Sequence, residues 1–209
     1  MEKKKVIKNV VFDLGNVLIS FRREEIISKF TSDAAEGKYL FEKCFLSPEW
    51  VKLDLGLISA KEAAAAITGR EGGRYKELTE RFFADWYKKD LPDTAAFALA
   101  RKVKSYGFGV YVLSNMQSAA ADYFINEGLF RGFDGVVISA FEHIKKPDPR
   151  IFRVLLERYG LKAEECLFID DDDTCASYDT AHALDFIGRA VKPNDVGDVE
   201  AELKEFGIM

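Results

Sequence analysis

Four stretches of this chain place residues able to do acid, base or nucleophilic chemistry directly after apolar runs or in a tight loop. Asp13 follows Val-Val-Phe and opens the turn Asp13-Leu14-Gly15. A carboxylate at such a point is open to a ligand and can act as a nucleophile, although alone it would equally suit an Asx-type turn. Ser114-Asn115 follows Val110 to Leu113 and offers a hydroxyl and backbone N–H groups suited to phosphate oxygens. Lys146, just ahead of Pro147-Asp148-Pro149, supplies an ammonium for an anion and for charge developing during group transfer. Asp170 to Asp173 are four consecutive carboxylates, which repel one another unless a cation or basic groups compensate them. Oxygen donors of this kind suit Mg2+, a hard cation often held by one or two carboxylates plus substrate phosphate. Taken singly, these are a turn residue, a Ser-Asn turn, a solvated lysine and an acidic loop or helix start. Taken together, they predict a nucleophilic aspartate beside a cation that offsets its repulsion from a phosphate.

The elements that must position these residues are legible from period. Val6 to Phe12 is a β-branched run without alternation, as expected for a strand covered on both faces by helices. The same pattern recurs at Gly109 to Leu113, Gly135 to Ile138 and Cys166 to Ile169, each run ending in polar residues. Between them, Thr94 to Tyr106, Ala119 to Glu127 and Arg150 to Tyr159 carry apolar residues at helical spacing. Strands alternating with helices of this size predict an α/β fold with a doubly wound parallel sheet, Rossmann-like in type. Ligands bind such sheets outside the carboxyl ends of the strands, so Asp13, Ser114 and the aspartate run converge on one crevice.

The stretch from Phe21 to about Pro92 contains no strand-like run. Ala60 to Ile67 and Lys76 to Tyr87 read as helices, Ser59 with Glu62 forms a capping box, and Gly69, Gly72 and Gly73 mark a turn. The expected organisation is a catalytic core of residues 1–20 and 93–209 with an all-helical cap, residues 21–92, inserted after the first strand. Trp50, Phe82, Phe83 and Trp86 are expected to form cap core, with contact to a substrate as the other use of such aromatics.

Composition bounds the function classes. With 209 residues, 48% hydrophobic and 31% charged, the chain suits one substantial domain or a core with a modest insertion, and disorder is not expected. A net charge of −5, with both signs spread along the chain, provides no electropositive face, so no nucleic-acid partner is expected. Cys44, Cys166 and Cys175 match neither a disulfide framework nor a CxxC knuckle, which suits a reducing compartment. The apolar run after the basic start is too short for a secretory h-region and no later run reaches membrane-spanning length. A cytoplasmic protein with no membrane partner is the expectation; oligomeric state is not readable.

The ordered motifs Val-Val-Phe-Asp-Leu-Gly-Asn-Val-Leu, Val-Leu-Ser-Asn, Lys-Pro-Asp-Pro-Arg-Ile-Phe and Leu-Phe-Ile-Asp-Asp resemble those of the haloacid dehalogenase-like hydrolase superfamily over most of the chain. Within it, the DLGNV form, the helical insertion and the stretch Trp50 to Ala66, with Asp54-Leu55-Gly56-Leu57-Ile58-Ser59, are similar to a subgroup. That subgroup contains bacterial α-D-glucose-1-phosphate phosphatase and the phosphatase domain of soluble epoxide hydrolases. The resemblance implies a Mg2+-dependent phosphomonoester hydrolase that works through an aspartyl-phosphate and acts on a small phosphorylated metabolite such as a sugar phosphate. It implies Asp13 as nucleophile, Ser114 and Asn115 as phosphate ligands, and Lys146 as the charge-stabilising cation. It further implies metal binding by Asp13, the backbone carbonyl of Gly15, and an aspartate of the last motif.

Three departures from the family pattern matter. The second aspartate that usually protonates the leaving group, two residues after the nucleophile, is here Gly15, and general acid–base help is typically worth ~10²–10⁴-fold. A sugar 1-phosphate, with its less basic leaving group, would suffer least. His143 stands where glycine is frequent, three residues before Lys146, and can titrate near neutrality as a substitute acid or lie in solvent as a loop residue. The last motif aligns Asp170 and Asp171 with the metal-binding pair when read from the strand, and Asp172 and Asp173 when read from the following helix; the strand register favours the first pair. A metal-free 2-haloacid dehalogenase and a catalytically weak binding or regulatory module are the alternatives.

Overall fold

A computed structural model describes residues 6–89, 94–171 and 176–209 of the chain. Five parallel strands form one sheet: β1 (Asn9–Phe12), β2 (Gly109–Ser114), β3 (Gly135–Ile138), β4 (Cys166–Asp170) and β5 (Ile187–Ala190). Their spatial order is β3-β2-β1-β4-β5, which puts β1 at the centre and reverses the winding beside it. Register is set by apolar pairs: Val10 lies opposite Val110 and Leu167, and Phe12 opposite Val112 and Ile169.

The absence of alternation in these strands follows from burial on both faces. Val10, Phe12, Val110, Val112, Leu167 and Ile169 face a core shared with α6 (Thr94–Ser105), α7 (Ser118–Asn126) and α11 (Val196–Glu205). Val11, Tyr111, Leu113, Val137 and Phe168 face a second core with α9 (Pro149–Tyr159) and α10 (Ala176–Ala183). At ~1.5–3 kcal/mol for each fully buried Val, Leu, Ile or Phe, both faces contribute substantially to stability. The doubly wound parallel sheet expected from the sequence is therefore the fold.

β5 and α11 have no counterpart among the apolar runs and helical stretches legible in the sequence. The strand reads Ile-Gly-Arg-Ala, where an arginine and a glycine dilute the apolar signal. Both have local reasons: a Cβ at position 188 would fall 2.9 Å from the Tyr178 ring, and Arg189 reaches Glu202 and Glu205 of α11 at 3.0 and 3.3 Å.

Between β1 and α6 the chain is helical: α1 (Arg23–Ser28), α2 (Ala34–Tyr39), a π-helical turn (Leu40–Phe45), α3 (Pro48–Asp54), α4 (Ala60–Arg70), α5 (Lys76–Asp85) and a 3-10 turn (Trp86–Lys89). The capping box at Ser59 and Glu62 is formed, with Glu62 N–H donating to Ser59 Oγ and Ser59 N–H to Glu62 Oε2. Gly72 and Gly73 make the turn before α5 with φ of 67° and 80°, whereas Gly69 belongs to α4 instead of the turn. Aromatic packing holds this cap together: Phe82 meets Phe30, Phe45 and Phe83 with ring centroids 5.0–5.4 Å apart. The chain's return from cap to core, near residue 92, lies outside the described residues. Among the described residues, no helix is long and apolar enough to cross a membrane.

Candidate active site

The strand ends meet at the floor of a cavity of about 600 Å³ whose roof is supplied by the cap. Asp13 leaves β1 with its N–H donating to Ile169 O at 2.8 Å, which ties the first strand's end to β4. Ser114 ends β2, Asp170 ends β4, and Asp13, Gly15, Ser114, Asn115, Lys146, Asp170 and Asp171 all line the one cavity. The convergence expected from strand topology is thus observed for Asp13, Ser114, Asp170 and Asp171, and Gly15, Asn115 and Lys146 join them. Asp172 and Asp173 lie outside the described residues, as does Cys175.

Lys146 is almost fully buried, and its Nζ sits 2.6 Å from Asp170 Oδ2 and 2.8 Å from Asp13 Oδ1. Asn115 fixes the segment that carries it: Lys146 N–H donates to Asn115 Oδ1 at 2.7 Å, and Asn115 Nδ2 donates to Lys146 O at 3.0 Å. The Asn115 amide is therefore partly a strut for Lys146, with its second amide hydrogen left for a ligand. Asn16 does the same for Asp171. It adopts the left-handed conformation (φ 56°) that asparagine tolerates, and its Nδ2 donates to Asp171 Oδ2 at 2.8 Å while Oδ1 accepts from Phe21 N–H and Asn194 Nδ2.

Electrostatics here are strongly coupled. Burial pushes Asp13 up to about 7; Lys146 works against that rise, and the neighbouring Asp170 adds to it. For Lys146, burial acts to discharge the ammonium, but Asp13 and Asp170 outweigh it and hold the lysine above its ordinary value. Asp171 is raised by burial and by Asp170, with partial relief from Asn16.

One ligand atom each from Asp13, Asp170 and Asp171 can be chosen so that all lie within 4.8 Å of one another. Three ionised carboxylates against one ammonium leave two formal negative charges, and Asp13 Oδ1 is buried without an aligned hydrogen-bond donor among the described residues. Hard, under-compensated oxygens of this number fit a divalent cation such as Mg2+.

Two further buried residues to which the sequence reading gave no role line the cavity, Asp54 from the cap and Gln117 from the core. Asp54, the last residue of α3, is buried yet lines the cavity. Gln117, also buried, accepts at Oε1 from Trp86 Nε1 at 3.1 Å, which leaves its Nε2 without a partner among the described residues. Phe21, Phe45, Trp50 and Trp86 form an aromatic wall, with Trp50 and Trp86 ring centroids 5.1 Å apart. Phe82 and Phe83 are cap core, while Trp50 and Trp86 serve both cap core and cavity. No periodicity marks Asp54 or Gln117; each acquires its place from tertiary contacts.

His143, considered as a substitute acid, is exposed and absent from the cavity wall. Its Nδ1 lies 2.9 Å from Leu55 O, and it occupies the left-handed position (φ 55°) that ends the short helix α8 (Ser139–Glu142). That conformation is the physical reason a glycine suits this place, and the ring serves as a tie between core and cap.

Comparison with known proteins agrees with this architecture. Over 167 residues, 78% of this chain and 80% of the relative, the sequence is 32% identical to the sesquiterpene phosphatase astK of Aspergillus oryzae. It is 27% identical over 177 residues to the D-ribitol-5-phosphate phosphatase of Bacteroides thetaiotaomicron, covering 79% and 84% of the two chains. A HAD family enzyme of Bacteroides thetaiotaomicron, determined in complex with magnesium and inorganic phosphate, superposes with a TM-score of 0.74 at 24% identity, covering 90% and 96% of the chains. The haloacid dehalogenase-like hydrolase model matches residues 7–174. The chain therefore belongs to the haloacid dehalogenase-like hydrolases.

Proposed function

We propose that the protein is a Mg2+-dependent phosphomonoester hydrolase in which Asp13 is transiently phosphorylated. The observation that carries this reading is the buried cluster of Asp13, Asp170 and Asp171 about Lys146 at the cavity floor. The phosphatase names of the Aspergillus and Bacteroides relatives support it. The cluster of three carboxylates argues against a 2-haloacid dehalogenase working without metal.

In this mechanism Asp13 attacks phosphorus, the bond from phosphorus to the organic oxygen breaks, and water later hydrolyses the aspartyl-phosphate. Ser114 and Asn115 orient the phosphate, and Lys146 bears on the charge that grows during transfer. Magnesium, held by Asp13, the Gly15 carbonyl, Asp170 and Asp171, would offset the repulsion between nucleophile and substrate. The cap would close over the substrate and exclude water. Free, buried Cys44 and Cys166, whose thiols burial pushes up to about 12, are inert and suit the cytoplasmic setting.

A sugar phosphate remains a fitting substrate, since sugars pack well on aromatic faces. The wall of Phe21, Phe45, Trp50 and Trp86, with Ile19 and Met116, favours a second reading in which the organic group is apolar, as for the sesquiterpene phosphatase relative. The test is phosphate release from sugar, aryl and prenyl monophosphates with and without Mg2+, comparing wild type with Asp13→Asn. Magnesium-dependent release, lowered by at least ~10³-fold in the variant, is expected. Equal, negligible release from both proteins would count against phosphoryl transfer and direct attention to haloacid hydrolysis or ligand binding.

A further inference from the structure

The reaction above leaves one proton unassigned. Residue 15 is glycine, so the nucleophile's own turn supplies no second carboxyl, and His143 lies off the cavity. Asp54 does line it. Resting on the phosphatase reading, we propose that Asp54, presented by the cap, is the general acid and base of the reaction.

Its placement is built, not incidental. Ser139 Oγ donates to Asp54 O and accepts from Met116 N–H at 2.9 Å, so one buried hydroxyl fastens Asp54 to the loop that carries Ser114 and Asn115. Leu55 O takes the His143 ring hydrogen at 2.9 Å. Gly56, at φ 64°, lies so close to α8 that a Cβ there would fall 2.1 Å from Ala140 O. Three consecutive residues are thus docked on α8, and the side chain of the first faces the cavity.

The carboxyl itself is without a hydrogen-bond donor among the described residues, although only 8% of the residue is exposed. Buried carboxylates are ordinarily paired, and an unpaired one in a cleft points to function. Burial holds Asp54 up at about 7 against the opposing influence of Lys145 and Arg23. Its position at the carboxyl end of α3 works in the same direction as burial. Of the elements packed on this turn, α4 presents Arg70, engaged with Glu49, and α8 presents Glu142, engaged with Arg158. Near neutral pH the group is therefore divided between acid and carboxylate, which suits a residue that must give and then take a proton.

The steps balance as follows. As the bond from phosphorus to the organic oxygen breaks, protonated Asp54 transfers its proton to that oxygen and the alcohol leaves. The resulting carboxylate then takes a proton from the water that attacks phosphorus. The bond to Asp13 breaks, inorganic phosphate departs, and Asp54 is again protonated.

The experiment compares magnesium-loaded wild type and Asp54→Asn on an alkyl phosphate and on p-nitrophenyl phosphate, whose leaving group needs no proton. For the alkyl ester, kcat/KM is expected to fall ~10²–10⁴-fold. For the aryl ester kcat/KM should hold within a few-fold, with a burst of nitrophenol as the phospho-enzyme accumulates. In wild type, alkyl kcat/KM should decline as pH rises through about 7, a limb absent from the aryl ester. Equal losses on both esters, or a rise in KM alone, would overturn the assignment. Should the variant fold poorly, the wild-type pH profiles decide: the same limb on both esters overturns it. Absence of any Asp13-dependent turnover in wild type would be a different failure, that of the phosphatase reading.

Discussion

Asp13 reaches the cavity from the sheet and Asp54 reaches it from the cap, and each is held near a pKa of about 7 by a different balance of forces. At the floor, Asp13 has an ammonium 2.8 Å away and Asp170 and Asp171 beside it, so its proton affinity is the residue of large opposing interactions. At the roof, Asp54 has burial and little else, with Lys145 and Arg23 only moderating it. A cation held by Asp13, Asp170 and Asp171 would favour the Asp13 carboxylate, while Asp54, outside that cluster, would keep its own balance of acid and carboxylate. On the mechanism proposed above, two identical side chains are set by environment to be nucleophile and acid, so that one site would run both chemistries at one pH.

The largest effect is expected at Lys146. Lys146→Met leaves Asp13 and Asp170 without their common partner, and loss of one member of a buried ion pair costs ~3–5 kcal/mol. Loss of a charge-stabilising donor should also lower kcat by ~10²–10³-fold. Thermal midpoints with and without Mg2+ would check this: the variant should be stabilised by the metal more than wild type is, because the divalent ion replaces the missing charge. An equal metal effect in both would mean that Lys146 does not compensate the floor.

A carboxyl moved from roof to floor should recover part of the lost activity. A Cβ at Gly15 would meet only Phe21 Cβ, at 3.8 Å, an ordinary contact, so Gly15→Asp is sterically acceptable. In the Asp54→Asn background it should restore at least about tenfold of the ~10²–10⁴-fold acid–base contribution on alkyl phosphates. Measured turnover of the double variant no better than Asp54→Asn, with Mg2+ binding intact, would mean that the missing proton does not explain the loss.

Stability reports on Asp54 independently of turnover. Because the folded pKa of Asp54 is raised from 3.8 to about 7, its contribution is fully present below about pH 4 and is lost as pH rises through 7. The charged buried group then costs up to about 4 kcal/mol, an upper bound from the shift. Asp54→Asn should accordingly gain on wild type between pH 5 and pH 8 in denaturant titrations. A difference that stays constant across that range would show that burial does not hold Asp54 above its ordinary value.

The floor was the legible part. An apolar run that stops at a polar residue reports a strand end, and strand ends converge by topology, so Asp13, Ser114 and Asp170 were visible from order alone. Lys146 and Asn115 were weaker signals, because a lysine and an asparagine in loops carry no periodic signal, and the resemblance strengthened their assignment. The roof was not legible. Asp54 follows Leu53 on an ordinary helix, and what makes it special is Ser139, 85 residues away, and the close approach of Gly56 to Ala140. Gln117 likewise depends on Trp86, and β5 hid behind Gly188 and Arg189.

The smallest expected effect is at His143, and it decides between the two acids considered for this site. His143→Gly removes the Nδ1 hydrogen bond to Leu55 O, a loss of ~0.5–1.5 kcal/mol. It also relieves a non-glycine residue of the left-handed conformation at φ 55°, a gain of ~1 kcal/mol. The two nearly cancel, so the thermal midpoint should move by little and kcat should stay within about twofold, as for a substitution away from the reacting groups. The alkaline limb of the alkyl-phosphate profile should persist in His143→Gly and vanish in Asp54→Asn. The reverse pattern would place the titrating acid on the exposed tie between core and cap, and Asp54 would then be only a buried neighbour of the substrate.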